Sequence, residues 1–238
     1  MCTVTFLPLG NNNFVLTSNR DEKYLRKPAL DPRIHLVDDT LVVFPKDQQA
    51  EGTWIATSGN PFTLCLLNGA FQKHQSKSNY KKSRGLVLLD FFKYNNVQRF
   101  LREYDFNGIE PFTLLLLDTN LKIHLTEARW DGSQLHQTEI DTQEPHIWSS
   151  ATLYTPETVK QRENWFRDFL MSHPDYMGYS ILDFHHLGGK GDTSNSLVMD
   201  RENEVRTVSI TSILRQNNHL QMTYKDVVNQ KIYSRRIC

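Results

Sequence analysis

The sequence is short of cysteine, with only Cys2, Cys65 and Cys238 in 238 residues, an odd number at wide spacings and no CxxC pair. That excludes a disulfide framework and gives no sign of a zinc ribbon or a dithiol redox motif, and it suits a reducing, cytoplasmic compartment. Charge of one sign is missing too, since 27 Lys plus Arg face 27 Asp plus Glu. A formal net charge of zero removes the long-range pull that nucleic-acid binders use, so no nucleic-acid partner is expected. Long apolar runs are absent. The run Leu114 to Leu117 is closed by Asp118, far from the roughly 18 residues of a membrane span. The apolar start Thr3 to Leu9 has no basic flank and stops at Gly10, Asn11, Asn12 and Asn13, unlike a signal peptide. Cys238 is the last residue, where prenylation needs a cysteine fourth from the end. Repeats, low-complexity tracts and linkers are lacking as well, so one domain over 1–238 is expected.

What is present is ordinary globular material. At 39% hydrophobic residues and this length, a chain buries roughly 70% of its unfolded surface, so no metal or disulfide is needed for stability. Residues 3–9 and 13–19 are β-rich runs around Gly10 and three Asn, residues that tolerate positive φ, and predict a hairpin delivering Asn19-Arg20-Asp21-Glu22 at its end. Residues 52–58 and 62–68 flank Gly59-Asn60-Pro61 and predict a second hairpin ending at Asn68-Gly69. The period then changes. Leu86, Leu89 and Phe92, and after a capping Asn96 the set Val97, Phe100, Leu101 and Tyr104, predict two short helices. Strands follow at 112–118, 123–130 and 134–140, the last two joined across Asp131-Gly132. After an apolar stretch at 146–153, Thr155-Pro156-Glu157 opens a helix to about Ser172, with Val159, Trp165, Phe166, Phe169 and Leu170 on one face. A further helix near 181–187 ends in glycines, and 196–199, 204–213 and 220–227 read as closing strands. Helices in blocks between antiparallel strands predict an α+β fold, a four-layer αββα sandwich of two antiparallel sheets covered by helices.

Cys2 directly follows the initiator Met1. Excision of Met1 would expose one residue carrying both a thiol and a free α-amine. The amine, with a pKa of about 7.7–8.0, can serve as base for a thiol near 8.5 without any histidine. Taken alone, Cys2 is better explained by tolerance of any small residue at that position. Asn19-Arg20-Asp21-Glu22 adds an arginine able to favour thiolate and carboxylates able to orient an ammonium.

The start Met1-Cys2-Thr3-Val4, the tetrad Asn19-Arg20-Asp21-Glu22, the stretch Gly52-Thr53-Trp54-Ile55-Ala56 and the pair Asn68-Gly69 together resemble the NRDE family, also called the transport-and-Golgi-organisation protein 2 family. Weaker similarity in Trp148-Ser149-Ser150-Ala151 and Asp192-Thr193-Ser194-Asn195-Ser196 extends the resemblance over most of the chain. That family is in turn similar to the cysteine-type N-terminal nucleophile (Ntn) hydrolases such as penicillin V acylase and bile salt hydrolase, whose fold is the αββα sandwich. The resemblance implies Cys2 as nucleophile, Arg20 as its charge partner, Asp21 as the carboxylate binding the amine, and Asn68 as oxyanion donor. It implies Ser150 in place of a second asparagine, and Asn19, Glu22, Trp54 and Ser194 around the substrate. Two departures stand out. Arg20 and Asp21 are adjacent where the acylases separate the pair, so the roles of Asp21 and Glu22 could be exchanged, and Leu197 stands where the acylases carry an arginine. The implied activity is hydrolysis of a non-peptide amide bond in a small molecule, without cofactor or metal. The alternative is a non-catalytic carrier of a haem-like or apolar, lipid-like ligand, as the family's links to lipid and haem homeostasis suggest.

Other candidates read as structural. His185-His186 lack an HExxH motif or a third ligand, and are ordinary helix-end histidines. Gly188-Gly189-Lys190-Gly191-Asp192-Thr193 lacks P-loop spacing and is expected as a flexible connection. Lys73, Lys77, Lys81, Lys82 and Arg84 form a basic run that is either a solvated loop or an entrance for anions. Cys65 is expected in the core.

Overall fold

The computed structural model describes residues 3–59, 61–77, 79–174, 180–217 and 219–237. By contact density the chain forms two compact units, one from Met1–Arg26 with Gln143–Cys238, the other from Lys27–Thr142. All strand pairs are antiparallel, and each unit carries one sheet.

The first unit begins with β1 (Thr3–Pro8) and β2 (Phe14–Lys23), turning through Gly10, Asn11 and Asn12, all at positive φ, as their side chains allow. Later come β10 (His146–Ser149), α3 (Pro156–Ser172), α4 (Ser180–Leu187), β11 (Asp200–Arg201), β12 (Val205–Gln216), β13 (His219–Asp226) and β14 (Lys231–Arg236). The sheet order is β10-β1-β2-β12-β13-β14, with β11 paired to the start of β12. Alternation along a strand gives each face its own residues. Leu7 and Val15 pack in one cluster with Phe166 and Phe169 of α3, Ile181 and Phe184 of α4, and Leu197. The odd-numbered residues of β1 and β2 therefore face the helices, and Val4, Phe6, Leu16, Ser18, Arg20 and Glu22 face the other way.

α3 starts as its sequence predicts. Thr155 Oγ1 accepts the Thr158 backbone N–H, Pro156 occupies the first turn and Glu157 adds an acid there. Its buried stripe is Thr158, Arg162, Phe166 and Phe169, an arginine inside an otherwise apolar spacing. The glycine segment after α4, expected as a flexible connection, is a succession of bonded turns. Lys190 N–H donates to Leu187 O (2.9 Å), Asp192 N–H to Gly189 O (3.1 Å) and Leu197 N–H to Gly188 O (2.9 Å). Gly189, at φ +73, lies flat against the Trp165 ring, where an added Cβ would sit 2.3 Å from ring carbon.

The second unit holds β3 (Leu30–Val37), β4 (Thr40–Lys46), β5 (Ile55–Thr57), β6 (Phe62–Asn68), α1 (Arg84–Asp90), α2 (Val97–Glu103), β7 (Phe112–Asp118), β8 (His124–Trp130) and β9 (Leu135–Ile140), its sheet running in chain order. A 3-10 turn, Phe91–Lys93, follows α1, and Asn96 caps α2 by accepting the Arg99 N–H. Packing of this helical segment runs through three edge-on aromatic pairs, Phe62 to Phe91 (5.0 Å), Phe91 to Phe100 (5.5 Å) and Phe100 to Phe106 (5.7 Å), and one stacked pair, Phe106 to Trp130 (5.8 Å). Cys65 is fully buried in β6. Gly52 explains itself by close approach, since a Cβ there would stand 2.4 Å from the backbone of Gly85 at the start of α1, and Thr53 N–H donates to Gly85 O.

Strands β3, β4 and β14 have no counterpart among the sequence expectations, and residues 196–199, expected as a strand, are non-strand chain before β11.

Candidate active site

Met1 and Cys2 lie outside the described residues. Their covalent neighbour Thr3 opens β1, paired with Asn19 on β2 and with Ser149 on β10. Arg20 and Ser150, the next residues along, flank that end of β1. Both are buried, Arg20 at 2% exposure and Ser150 at 1%. Arg20 Nη2 pairs with Glu22 Oε1 at 3.1 Å, as residues two apart on a strand can. Ser150 Oγ bonds Thr152 Oγ1 at 3.1 Å.

Asp21 lies on the opposite, helix-facing side. Its carboxylate accepts from the hydroxyl of Tyr154 and from Thr207 Oγ1 (2.5 Å). A bulge in β12 between Thr207 and Ser209 keeps Thr207 opposite Asp21 and Ser209 opposite Arg20. The adjacency of Arg20 and Asp21 therefore divides them between two faces, and Glu22 shares the face of Arg20.

Asn19, expected at the substrate, is fully buried and spent inside the protein. Its Nδ2 donates to the carbonyls of His185 (3.1 Å) and Leu197 (2.5 Å), and its Oδ1 accepts from His185 Nδ1. The other ring nitrogen of His185, Nε2, bonds Thr5 Oγ1 at 2.8 Å. His185 is thus a core bracket between α4 and the sheet. Burial, with the Arg162 charge adding to it, pushes its pKa down to about 3.

That depression predicts acid sensitivity. The unfolded chain takes up a proton near pH 6.5 that the folded one refuses, so the full contribution is present above about 6.5. It is lost on acidification at about 1.4 kcal/mol per pH unit until about pH 3. Urea titrations from pH 7 to pH 4 are expected to show this slope, and His185→Gln is expected to flatten it; equal slopes would refute the assignment.

Ser194, expected near substrate, is an exposed turn residue. Asp192 Oδ1 accepts the N–H groups of Ser194 (3.1 Å) and Asn195 (3.0 Å), shaping a turn whose carbonyls point to Arg162. Arg162 is fully buried. Its Nε and Nη2 donate to Asn195 O (3.1 and 2.9 Å), Nη2 also to Ser196 O (2.7 Å), and Nη1 donates to Thr3 Oγ1 (2.5 Å). Its guanidinium lies 3.7 Å over the Tyr154 ring. Where the sequence offers Leu197 for an arginine, α3 brings Arg162 to the same turn. The signal for it was the helical stripe, since position 162 falls between Thr158 and Phe166 at four-residue spacing.

In the other unit, Asn68 ends β6 in register with Phe112, half-buried. The turn after it is clamped. Gly69 takes φ +82 and its N–H donates to Pro111 O. Thr113 Oγ1 donates to Gly69 O, and Arg129 Nη1 donates to Ala70 O at 2.7 Å while held by both oxygens of Glu127 at 2.8 Å. Trp54 is buried, its carbonyl accepting the Leu66 N–H. The nearby basic run is largely paired, Lys81 with Asp105, Lys82 with Asp90, and Arg84 with Glu110. Among the described residues no group of three or more His, Cys, Asp or Glu is placed to hold a metal. No helix among them is long and apolar enough to cross a membrane.

Solved structures share this architecture. A cysteine-to-alanine mutant of the conjugated bile acid hydrolase of Clostridium perfringens matches with TM-score 0.59 and 10% identity, over 99% of this chain and 92% of that one. A second variant of the same hydrolase matches at TM-score 0.56 and 9% identity, over 98% and 92%. The N-acylethanolamine-hydrolyzing acid amidase ortholog of Caenorhabditis elegans matches at 0.53 and 12%, over 90% and 92%. The fold is the α+β, two-sheet fold of the Ntn hydrolases. A family profile for Transport and Golgi organisation 2 matches residues 1–225, and the chain belongs to that family. No curated protein sequence matches it significantly.

Proposed function

We propose that the protein is an Ntn amidohydrolase acting on a non-peptide amide bond, with Cys2 as nucleophile after removal of Met1. The observation that carries this is Arg20, a buried guanidinium beside the chain-start end of β1. A cation so placed favours a thiolate. Glu22 is engaged with Arg20, and Asp21 with the hydroxyls of Tyr154 and Thr207; the resemblance gives Asp21 the part of the carboxylate for the α-ammonium. In the reaction the α-amine takes the thiol proton while sulfur bonds to the amide carbonyl carbon. The Ser150 hydroxyl donates to the oxyanion, and Asn68 is given the part of a second donor by the resemblance alone. Collapse breaks the C–N bond, and the ammonium returns its proton to the leaving nitrogen. Water, deprotonated by the amine, then attacks the thioester and frees a carboxylic acid and the thiol.

Intact-mass measurement before and after iodoacetamide at pH 7, with mapping of the N-terminal peptide, tests this. Met1 absent and Cys2 alkylated far faster than buried Cys65 supports the hydrolase. Met1 fully retained, or an inert Cys2, overturns it and directs attention to ligand carriage, which a Soret shift on haem titration would reveal.

A further inference from the structure

Arg162 is a charged side chain with no exposed surface, and such a group is costly to bury without a counter-ion. Among the described residues no carboxylate lies within ion-pair distance of it. Its partners are two backbone carbonyls, one hydroxyl and one aromatic face. The hydroxyl and the aromatic face are attached to groups the proposed reaction uses. The hydroxyl belongs to Thr3, the residue after the nucleophile in sequence. The face belongs to Tyr154, whose own hydroxyl donates to Asp21. The carbonyls of Asn195 and Ser196 belong to the turn that Asp192 builds.

We infer that Arg162 is a positioning residue for the N-terminal nucleophile. One rigid guanidinium fixes the start of β1 through Thr3 and, through Tyr154, the carboxylate that meets the amine. Its unneutralised charge also biases the chain start towards thiolate and neutral amine. A fork of fixed donors suits this task better than a flexible ammonium. The other ionisable groups around the cluster and the chain start are Asp21, Arg20 and Glu22 on β2, Asp192 in the turn, His185 on α4, which burial holds neutral, and Arg201, 5.8 Å from the centre of the Tyr154 ring. This inference rests on the hydrolase reading and deepens it.

The test measures alkylation of Cys2 by iodoacetamide against pH, with Cys65 as internal reference, in the wild type, Arg162→Gln, Arg162→Lys and Thr3→Val, each with its thermal transition. A slow wild-type Cys2 refutes the hydrolase reading itself, an outcome separate from any difference among the variants. With a fast wild type, Arg162→Gln is expected to react about tenfold more slowly at pH 7, its midpoint raised by about one unit. Arg162→Lys, similar in size but charged, is expected to recover most of the midpoint while staying slower than wild type. A folded Arg162→Gln with wild-type rate and midpoint overturns the inference, as does a lysine variant indistinguishable from the glutamine one. Should Arg162→Gln be unfolded, Thr3→Val decides. Removal of the hydroxyl alone is expected to slow Cys2 about threefold with the midpoint held, and a wild-type rate there is equally fatal.

Discussion

Asn19→Ala is expected to destabilise the protein by about 4 kcal/mol, one of the largest effects available from a single side chain. The substitution strands two buried groups, the carbonyl and the Nδ1–H of His185, and takes from the Leu197 carbonyl the shorter of its two donors, leaving Thr207 Oγ1 at 3.2 Å. Each unsatisfied buried polar group costs about 1–3 kcal/mol, and no water reaches a residue with no exposed surface. For a chain of this length the melting temperature should fall by about 10 °C. Differential scanning calorimetry of the variant at pH 7 checks it. A fall of a degree or two would mean that α4 and the turn at Leu197 are held by their apolar cluster alone. The first residue of the tetrad would then need a role in binding after all.

The second large effect is on chemistry. On an N-acyl anilide that the wild type cleaves, Cys2→Ala is expected to lower kcat on the order of 10⁴-fold or more, because it removes the atom that forms the acyl bond. Asn68→Ala is expected to lower kcat about 10²–10³-fold with KM little changed, the signature of a donor that acts on the oxyanion and not on the ground state. The clamp of Arg129 and Glu127 behind Gly69 and Ala70 holds the backbone that follows Asn68. Cleavage by the Cys2→Ala protein at an undiminished rate would remove the thiol from the mechanism. A KM rise without a kcat loss in Asn68→Ala would make Asn68 a substrate contact.

The sequence by itself determined the elements whose signals are local. The Gly10 to Asn13 turn, the Asn96 cap, the Thr155-Pro156-Glu157 start of α3 and the alternating strands around them arise from φ preferences, capping and periodicity acting within a few residues. The family motifs were legible for the same reason, being contiguous. Strands β3 and β14 were not, because Leu30–Val37 carries a proline and exposed apolar residues, and Lys231–Arg236 is largely exposed and basic. Such edge strands are chosen by the neighbour they pair with and not by their own pattern. The tertiary structure alone decided what the tetrad's members do. Adjacency already put Arg20 and Asp21 on opposite faces of a strand, and the packing decided that the face of Asn19 and Asp21 meets the helices and that of Arg20 and Glu22 does not. It also brought Arg162, 159 residues along the chain, onto Thr3. A side chain's partners across such a separation depend on how sheet and helix pack, and no spacing along the chain encodes them.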